Sequence, residues 1–110
     1  MQTFHGHIYF LGNEIDRAAI VRENIAKALP QLTYVGRLIA KPIGPHPRPM
    51  FEIHIPASEI EKIMPVLDEM RQGLSVLIHP VQDNELEAHT VDARWLGDEL
   101  PLNLKVLTKT

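Results

Sequence analysis

Over residues 3–10 apolar and polar side chains alternate with a period of two, which predicts a strand. Phe4, Ile8 and Phe10 fall on one side, with Gly6 between them; His5, His7 and Tyr9 fall on the other. From Glu14 to Leu29 the period changes. Ala18, Val21, Ile25 and Leu29 recur at helical spacing, Asn13 is a candidate N-cap, and Pro30 ends the element. Residues 32–39 are rich in β-formers and predict a second strand. The loop Gly44-Pro45-His46-Pro47-Arg48-Pro49 follows, held extended by prolines that lack amide donors. It feeds a third strand at 50–55, with Phe51, Ile53 and Ile55 on one face and Glu52 and His54 on the other. Ser58 to Glu61 has the form of a capping box, and Ile60, Ile63, Met64, Leu67 and Met70 predict a helix over 59–72 closed by Gly73. Pro65 removes one backbone hydrogen bond from that helix. Residues 74–79 predict a fourth strand. Beyond Pro80, Asp83 or Asn84 caps a short helix through Glu87 and His89, Gly97 ends the Arg94-Trp95-Leu96 segment, and Leu102, Leu104 and Val106 alternate as an edge strand.

The order β-α-β-β-α-β predicts an α+β fold: a ferredoxin-like sandwich over residues 1–110, one domain, with both helices on one face of an antiparallel sheet. A short C-terminal helix and edge strand extend it. In that topology the first strand lies between the third and fourth. Ile8, Phe10, Phe51, Ile53, Ile55, Val76 and Ile78 then face the helices, while His5, His7, Tyr9, Glu52, His54, Leu77 and His79 share the bare face. A bare sheet face needs covering, and a homodimer is the expectation.

Composition narrows the chemistry. The chain of 110 residues is 23% charged and 45% hydrophobic, in the range of ordinary globular domains. A net charge of -3 without a basic run gives no footprint for nucleic acid, and no apolar run is long enough to predict a membrane span. The N-terminus lacks a signal pattern, so a cytoplasmic protein is expected. The absence of cysteine removes thiolate nucleophiles and sulfur ligands, leaving imidazole and carboxylate for any metal. Six histidines in so short a chain are the first functional signal.

Imidazoles on adjacent strands at matching height can share a metal at nitrogen distances of about 2.0–2.1 Å. The fourth strand runs antiparallel to the first, bringing His79 near His5 and His7; the proline loop carries His46 to the same end, and His89 can fold back there. His54 joins only if the register between the first and third strands allows it. Each residue also has a plainer reading. Strand histidines are commonly hydrogen-bonded or half-exposed, and His5 reads as surface. Glu52 can pair with Arg48 or Arg37. Those two arginines are candidates for a substrate carboxylate or are simply solvated, and the Trp95 segment reads as packing over one end of the sheet.

The segments His7-Ile8-Tyr9-Phe10, Gly44-Pro45-His46-Pro47 leading to Met50-Phe51-Glu52-Ile53-His54, and Ser75 through His79-Pro80 resemble the DOPA 4,5-dioxygenase family of fungi and bacteria. Glu87, His89 and Trp95-Leu96-Gly97 continue the likeness, which covers about residues 5–107. The resemblance implies a ferredoxin-like fold and opening of a catechol ring, DOPA-like, by dioxygen with non-haem iron(II). It implies His7, His54 and His79 as metal ligands with Glu52 as the carboxylate. His46 and His89 become proton-transfer or substrate-orienting groups, and Tyr9 a hydrogen-bond donor to bound oxygen. Two rivals stand beside it: a non-enzymatic, dimeric small-ligand-binding module on the same fold, and a cofactor-free oxygenase.

Overall fold

Strict alternation produces the three central strands where it was read. In the computed structural model, which describes residues 2–107, β1 (Thr3–Tyr9), β3 (Met50–Pro56) and β4 (Val76–Pro80) make the centre of a sheet edged by β2 (Tyr34–Val35) and β5 (Arg94–Leu96), in the order β2-β3-β1-β4-β5. Every pairing is antiparallel. The two amphipathic helices, α1 (Ile15–Ala28) and α2 (Ile60–Met70), complete the β-α-β-β-α-β frame, followed by α3 (Glu85–Ala88) and β5 (Arg94–Leu96). The ferredoxin-like α+β architecture is therefore present.

The core lies between sheet and helices. Phe4, Ile8, Phe10, Phe51, Ile53, Ile55, Val76 and Ile78 meet Ala18, Val21 and Ile25 of α1 and Ile60, Ile63 and Leu67 of α2. Each fully buried aliphatic or phenyl side chain here contributes about 1.5–3 kcal/mol. Gly6 stands opposite Ile53, and a Cβ on it would come within 2.8 Å of Ile53 Cγ1. The isoleucine occupies the space a side chain on β1 would need.

Several local expectations change. The second strand shrinks from 32–39 to β2 (Tyr34–Val35), with one isolated bridge between Ile39 and Met50. The pairing slips by one residue between Tyr34 opposite His54 and the bridge of Ile39 with Met50, which interrupts the ladder, and there the Arg22 guanidinium of α1 donates to Gly36 O at 2.6 Å and Val35 O at 3.3 Å. Asn13 is not an N-cap, because it lies inside a 3-10 turn; the Glu14 carboxylate instead accepts from Leu11 N at 2.8 Å. Ser58 likewise sits within a 3-10 turn (Ala57–Glu59), so it lacks the extended backbone a cap requires and α2 has no side-chain cap. α2 runs through Pro65, which is exposed. Asn84 does cap α3, accepting from Glu87 N at 3.0 Å.

The fifth strand is β5, not residues 102–106. Its pairing of Trp95 with Leu77 occupies the free edge of β4, and Leu104–Leu107 forms a 3-10 turn instead. The released C-terminal segment crosses the other sheet face, where Leu100 and Leu102 pack with Tyr9, Met50, Leu77 and Trp95. That face is covered in part by the chain itself.

Candidate active site

Residues directly opposite one another in paired strands lie on the same face, and the register here aligns the polar residues in rows. His54, His5 and His79 form one row across β3, β1 and β4. Glu52, His7 and Leu77 form the next, and Met50 and Tyr9 lie beyond. Two loops close over this grid. The proline loop brings the His46 ring to 4.1 Å from His7, and the turn after α3 brings His89 to 4.0 Å from His79, centroid to centroid.

Hydrogen bonds decide which nitrogens keep lone pairs. His79 Nδ1 lies 3.0 Å from Pro80 O, and His89 Nδ1 lies 2.7 Å from Glu85 O. A carbonyl only accepts, so in each case Nδ1 donates and Nε2 is the lone-pair nitrogen of the neutral ring. His7 Nε2 stands 3.0 Å from His79 Nε2, while His7 Nδ1 is buried without a hydrogen-bond partner, 3.7 Å from Glu52 Oε1. A His7 tautomer protonated on Nδ1 faces that carboxylate and turns a second lone pair toward His79. Two nitrogens each about 2.1 Å from one ion, at right angles, lie about 3.0 Å apart. The donor set therefore fits a metal. Tyr9 Oη is 2.7 Å from His46 Nδ1 in a buried setting. A phenol can donate or accept; in the tautomer in which it donates to Nδ1, the His46 proton sits on Nε2.

Burial is the dominant electrostatic effect. It pushes His7 well below the ordinary imidazole value, His46 down to about 4 and His79 down to about 3, with neighbouring histidines adding to each depression. His5, half-buried, is lowered for the same first reason, against an upward pull from Glu52. The Tyr9 phenol is pushed up by burial. His7, His46 and His79 are thus held neutral, the form that binds metal or accepts a proton.

These side chains surround a cavity of about 250 Å³ lined by His5, His7, His46, His79, Glu85 and His89, with Pro45, Val81 and Leu107 at its apolar edge. Among the described residues, potential metal donors form two groups of three: His5, His7 and His79, and His5, Glu52 and His54. The expected ligands are thereby divided. His7 and His79 come together, whereas His54 lies with Glu52, its Nε2 2.6 Å from Glu52 Oε2 and its ring stacked 4.1 Å from His5. His5, expected at the surface, sits between the groups and belongs to both. The i, i+2 spacing with His7 already carried that signal.

His46 and His89 both line the cavity, and Tyr9 reaches it through His46. Arg37 lies instead in a cleft with Tyr34 and Glu52 at the β2 edge, and Arg48 is outside the cavity lining. Glu52 pairs with histidines rather than with either arginine. Trp95 stacks on Tyr9, ring centroids 6.0 Å apart, and lines a second cavity that also touches His89. Glu85 and Glu99, acidic residues of these cavities, carried no spacing signal in the sequence.

Known proteins are similar to this chain in sequence and in fold. The chain is 32% identical to DOPA 4,5-dioxygenase of Amanita muscaria over 94% of its own length and 49% of the relative's. It is 34% identical to an uncharacterized 21.2 kDa protein of Botryotinia fuckeliana over 97% of its length and 64% of that protein's. The chain thus spans about half to two thirds of the length of these curated relatives. A Nostoc punctiforme crystal structure, described as that of a candidate dioxygenase, superposes with a TM-score of 0.86 at 37% identity, covering 97% of this chain and 91% of the other. The Dopa 4,5-dioxygenase family pattern matches residues 4–106, and this chain belongs to that family.

Proposed function

We propose that the chain is a dioxygenase that opens the ring of a catechol with dioxygen, using non-haem iron(II) held by His5, His7 and His79. The observation that carries this reading is the 3.0 Å approach of His7 Nε2 and His79 Nε2 on the wall of a cavity that also presents His46 and His89. Iron(II), when bound, supplies the chemistry that lets dioxygen react with a catechol. The reaction balances without a further reductant: one ring C–C bond and the O–O bond break, and both oxygen atoms enter the product.

The protein's own part is proton handling and orientation. His89, with its Nε2 lone pair free, takes a catechol proton, and His46, carrying its proton on Nε2, donates to an oxygen of the reacting pair. Tyr9 holds His46 in that tautomer. Glu52, fixed by His54, lies 3.7 Å from His7 Nδ1 and 3.9 Å from His5 Nδ1, where it favours the tautomers whose Nε2 is bare. The same proposal places the chain in the reducing cytoplasm. It also includes a homodimer covering exposed Val81, Val91 and Leu104 around the cavities.

One observation favours a second arrangement. His5, Glu52 and His54 make a two-imidazole, one-carboxylate set, the donor combination common among iron(II) oxygenases. Anaerobic iron(II) titration of His79→Ala and His54→Ala separates the two. Loss of binding in the first with retention in the second supports the inner site; the reverse moves the iron outward. No binding by the unaltered chain, without catechol-dependent oxygen uptake, leaves the ligand-binding module. Turnover that ignores chelators leaves the cofactor-free oxygenase.

A further inference from the structure

We infer that the substrate of this site is a catechol whose side chain ends in an ammonium group, seated between Trp95 and Glu99, and that a carboxylate on that side chain is disfavoured. The inference rests on the ring-opening reading above and names the substrate class it leaves open.

A second cavity of about 500 Å³ shares His89 with the histidine cavity and is lined further by Thr90, Trp95, Glu99, Leu100 and Leu102 among others. His89 is thus a wall common to both cavities, and a ring among the histidines whose substituent passes His89 meets a larger space lined mainly by apolar residues. The charges on that path have one sign. Glu85 in the first cavity and Glu99 in the second are the charged residues of the two linings, and no described lysine or arginine joins them. Glu99 is exposed and has no ion-pair partner among the described residues. An ammonium arriving there gains an unpaired carboxylate, and the indole face of Trp95 attracts cations as well. Trp95 is held in place by pairing with Leu77 and stacking on Tyr9, so the wall is formed before ligand arrives. A substrate carboxylate would instead meet like charge with no lysine or arginine among the described residues of either lining to compensate it; Arg37 and Arg48 lie outside both. DOPA, in the name of the Amanita relative, carries both groups. Here only its ammonium is matched.

Three probes share the catechol ring and differ in charge: dopamine, 4-ethylcatechol and 3,4-dihydroxyphenylacetate. Trp95 is the single tryptophan, so its fluorescence reports occupancy of this cavity directly, measured anaerobically on the iron-loaded protein. Oxygen uptake then gives kcat/KM for each. Dopamine should bind about two- to tenfold more tightly than dihydroxyphenylacetate, with ethylcatechol between, the size that attraction of one probe and repulsion of the other by an exposed carboxylate provides. Glu99→Gln should remove dopamine's advantage over ethylcatechol, and Glu99→Lys should reverse the order of the charged pair. Because Glu99 is exposed, both variants retain the fold, which a melting curve checks. Equal or tighter binding of dihydroxyphenylacetate, no change of order in the Glu99 variants, or no response of Trp95 to any probe overturns the inference. Ordered binding without oxygen uptake counts against the dioxygenase reading alone, and uptake without a charge preference counts against this inference alone.

Discussion

The two faces of the sheet are built by the same strands and differ only in which alternate residues they receive. On the helix side Ile8, Phe51, Ile53, Ile55, Val76 and Ile78 are fully buried in a continuous apolar core. On the other side His5, His7, Glu52, His54 and His79 make a polar grid that loops and the C-terminal segment only partly roof. One face holds the fold together by area removed from water; the other tolerates polar side chains, and burial opposes the charging of His5, His7 and His79 there. The separation means that the histidines can change with little effect on the core, while core changes reach the site only through the strands.

The comparison is broken most strongly at His79. His79→Ala should abolish iron binding and oxygen uptake together while leaving the helix-side core intact, as iron stoichiometry and a melting curve on the metal-free protein will show. His89→Ala should keep iron bound but slow turnover by roughly 10²–10⁴, the usual worth of a positioned acid or base. Across the sheet, Ile53→Ala should cost about 2–5 kcal/mol by opening a cavity in the core. At about 4–8 °C per kcal/mol for a domain near 100 residues, that loss is plain in a thermal scan. A smaller stability effect comes from Gly6→Ala, whose Cβ meets Ile53 Cγ1 at 2.8 Å; overpacking of this kind costs about 1–3 kcal/mol.

Acid sharpens the same contrast. His46 and His79 have folded values of about 4 and about 3 against an ordinary 6.5, so the unfolded chain binds more protons between those limits. Metal-free protein should hold a constant melting temperature above about pH 7 and lose stability progressively as pH falls below 6.5 toward 4. His46→Gln should make that slope shallower. The smallest effect belongs to Arg48→Ala, which should leave kcat/KM unchanged because Arg48 lies outside both cavity linings.

Period-two alternation determined which residues of β1, β3 and β4 share a face, because a strand's side chains have no other choice. Helical spacing placed α1 and α2, and the order of elements implied the sandwich. Local competition escaped the sequence. A one-residue slip against β3 cut β2 short, and the backbone of Ser58 and Asn13 entered 3-10 turns in which neither can cap. The slip is set by how β2 meets β3, whereas the turn at Asn13 is closed by its own neighbours Leu11 and Glu14.

The site divides the same way. That His5, His7, His54, His79 and Glu52 face one side was legible in the residues themselves. Which of them meet was not. Register is decided by backbone amides pairing across strands, so His54 fell opposite His5 rather than His7, and one histidine that read as surface became the member shared by both donor groups. The positions of His46, His89, Glu85 and Glu99 come from loops whose path is set by what they pack against. Sequence determined the chemistry available to each face; tertiary structure decided which nitrogens and carboxylates stand within reach of one another, since distance between strands and loops is a property of packing and not of periodicity.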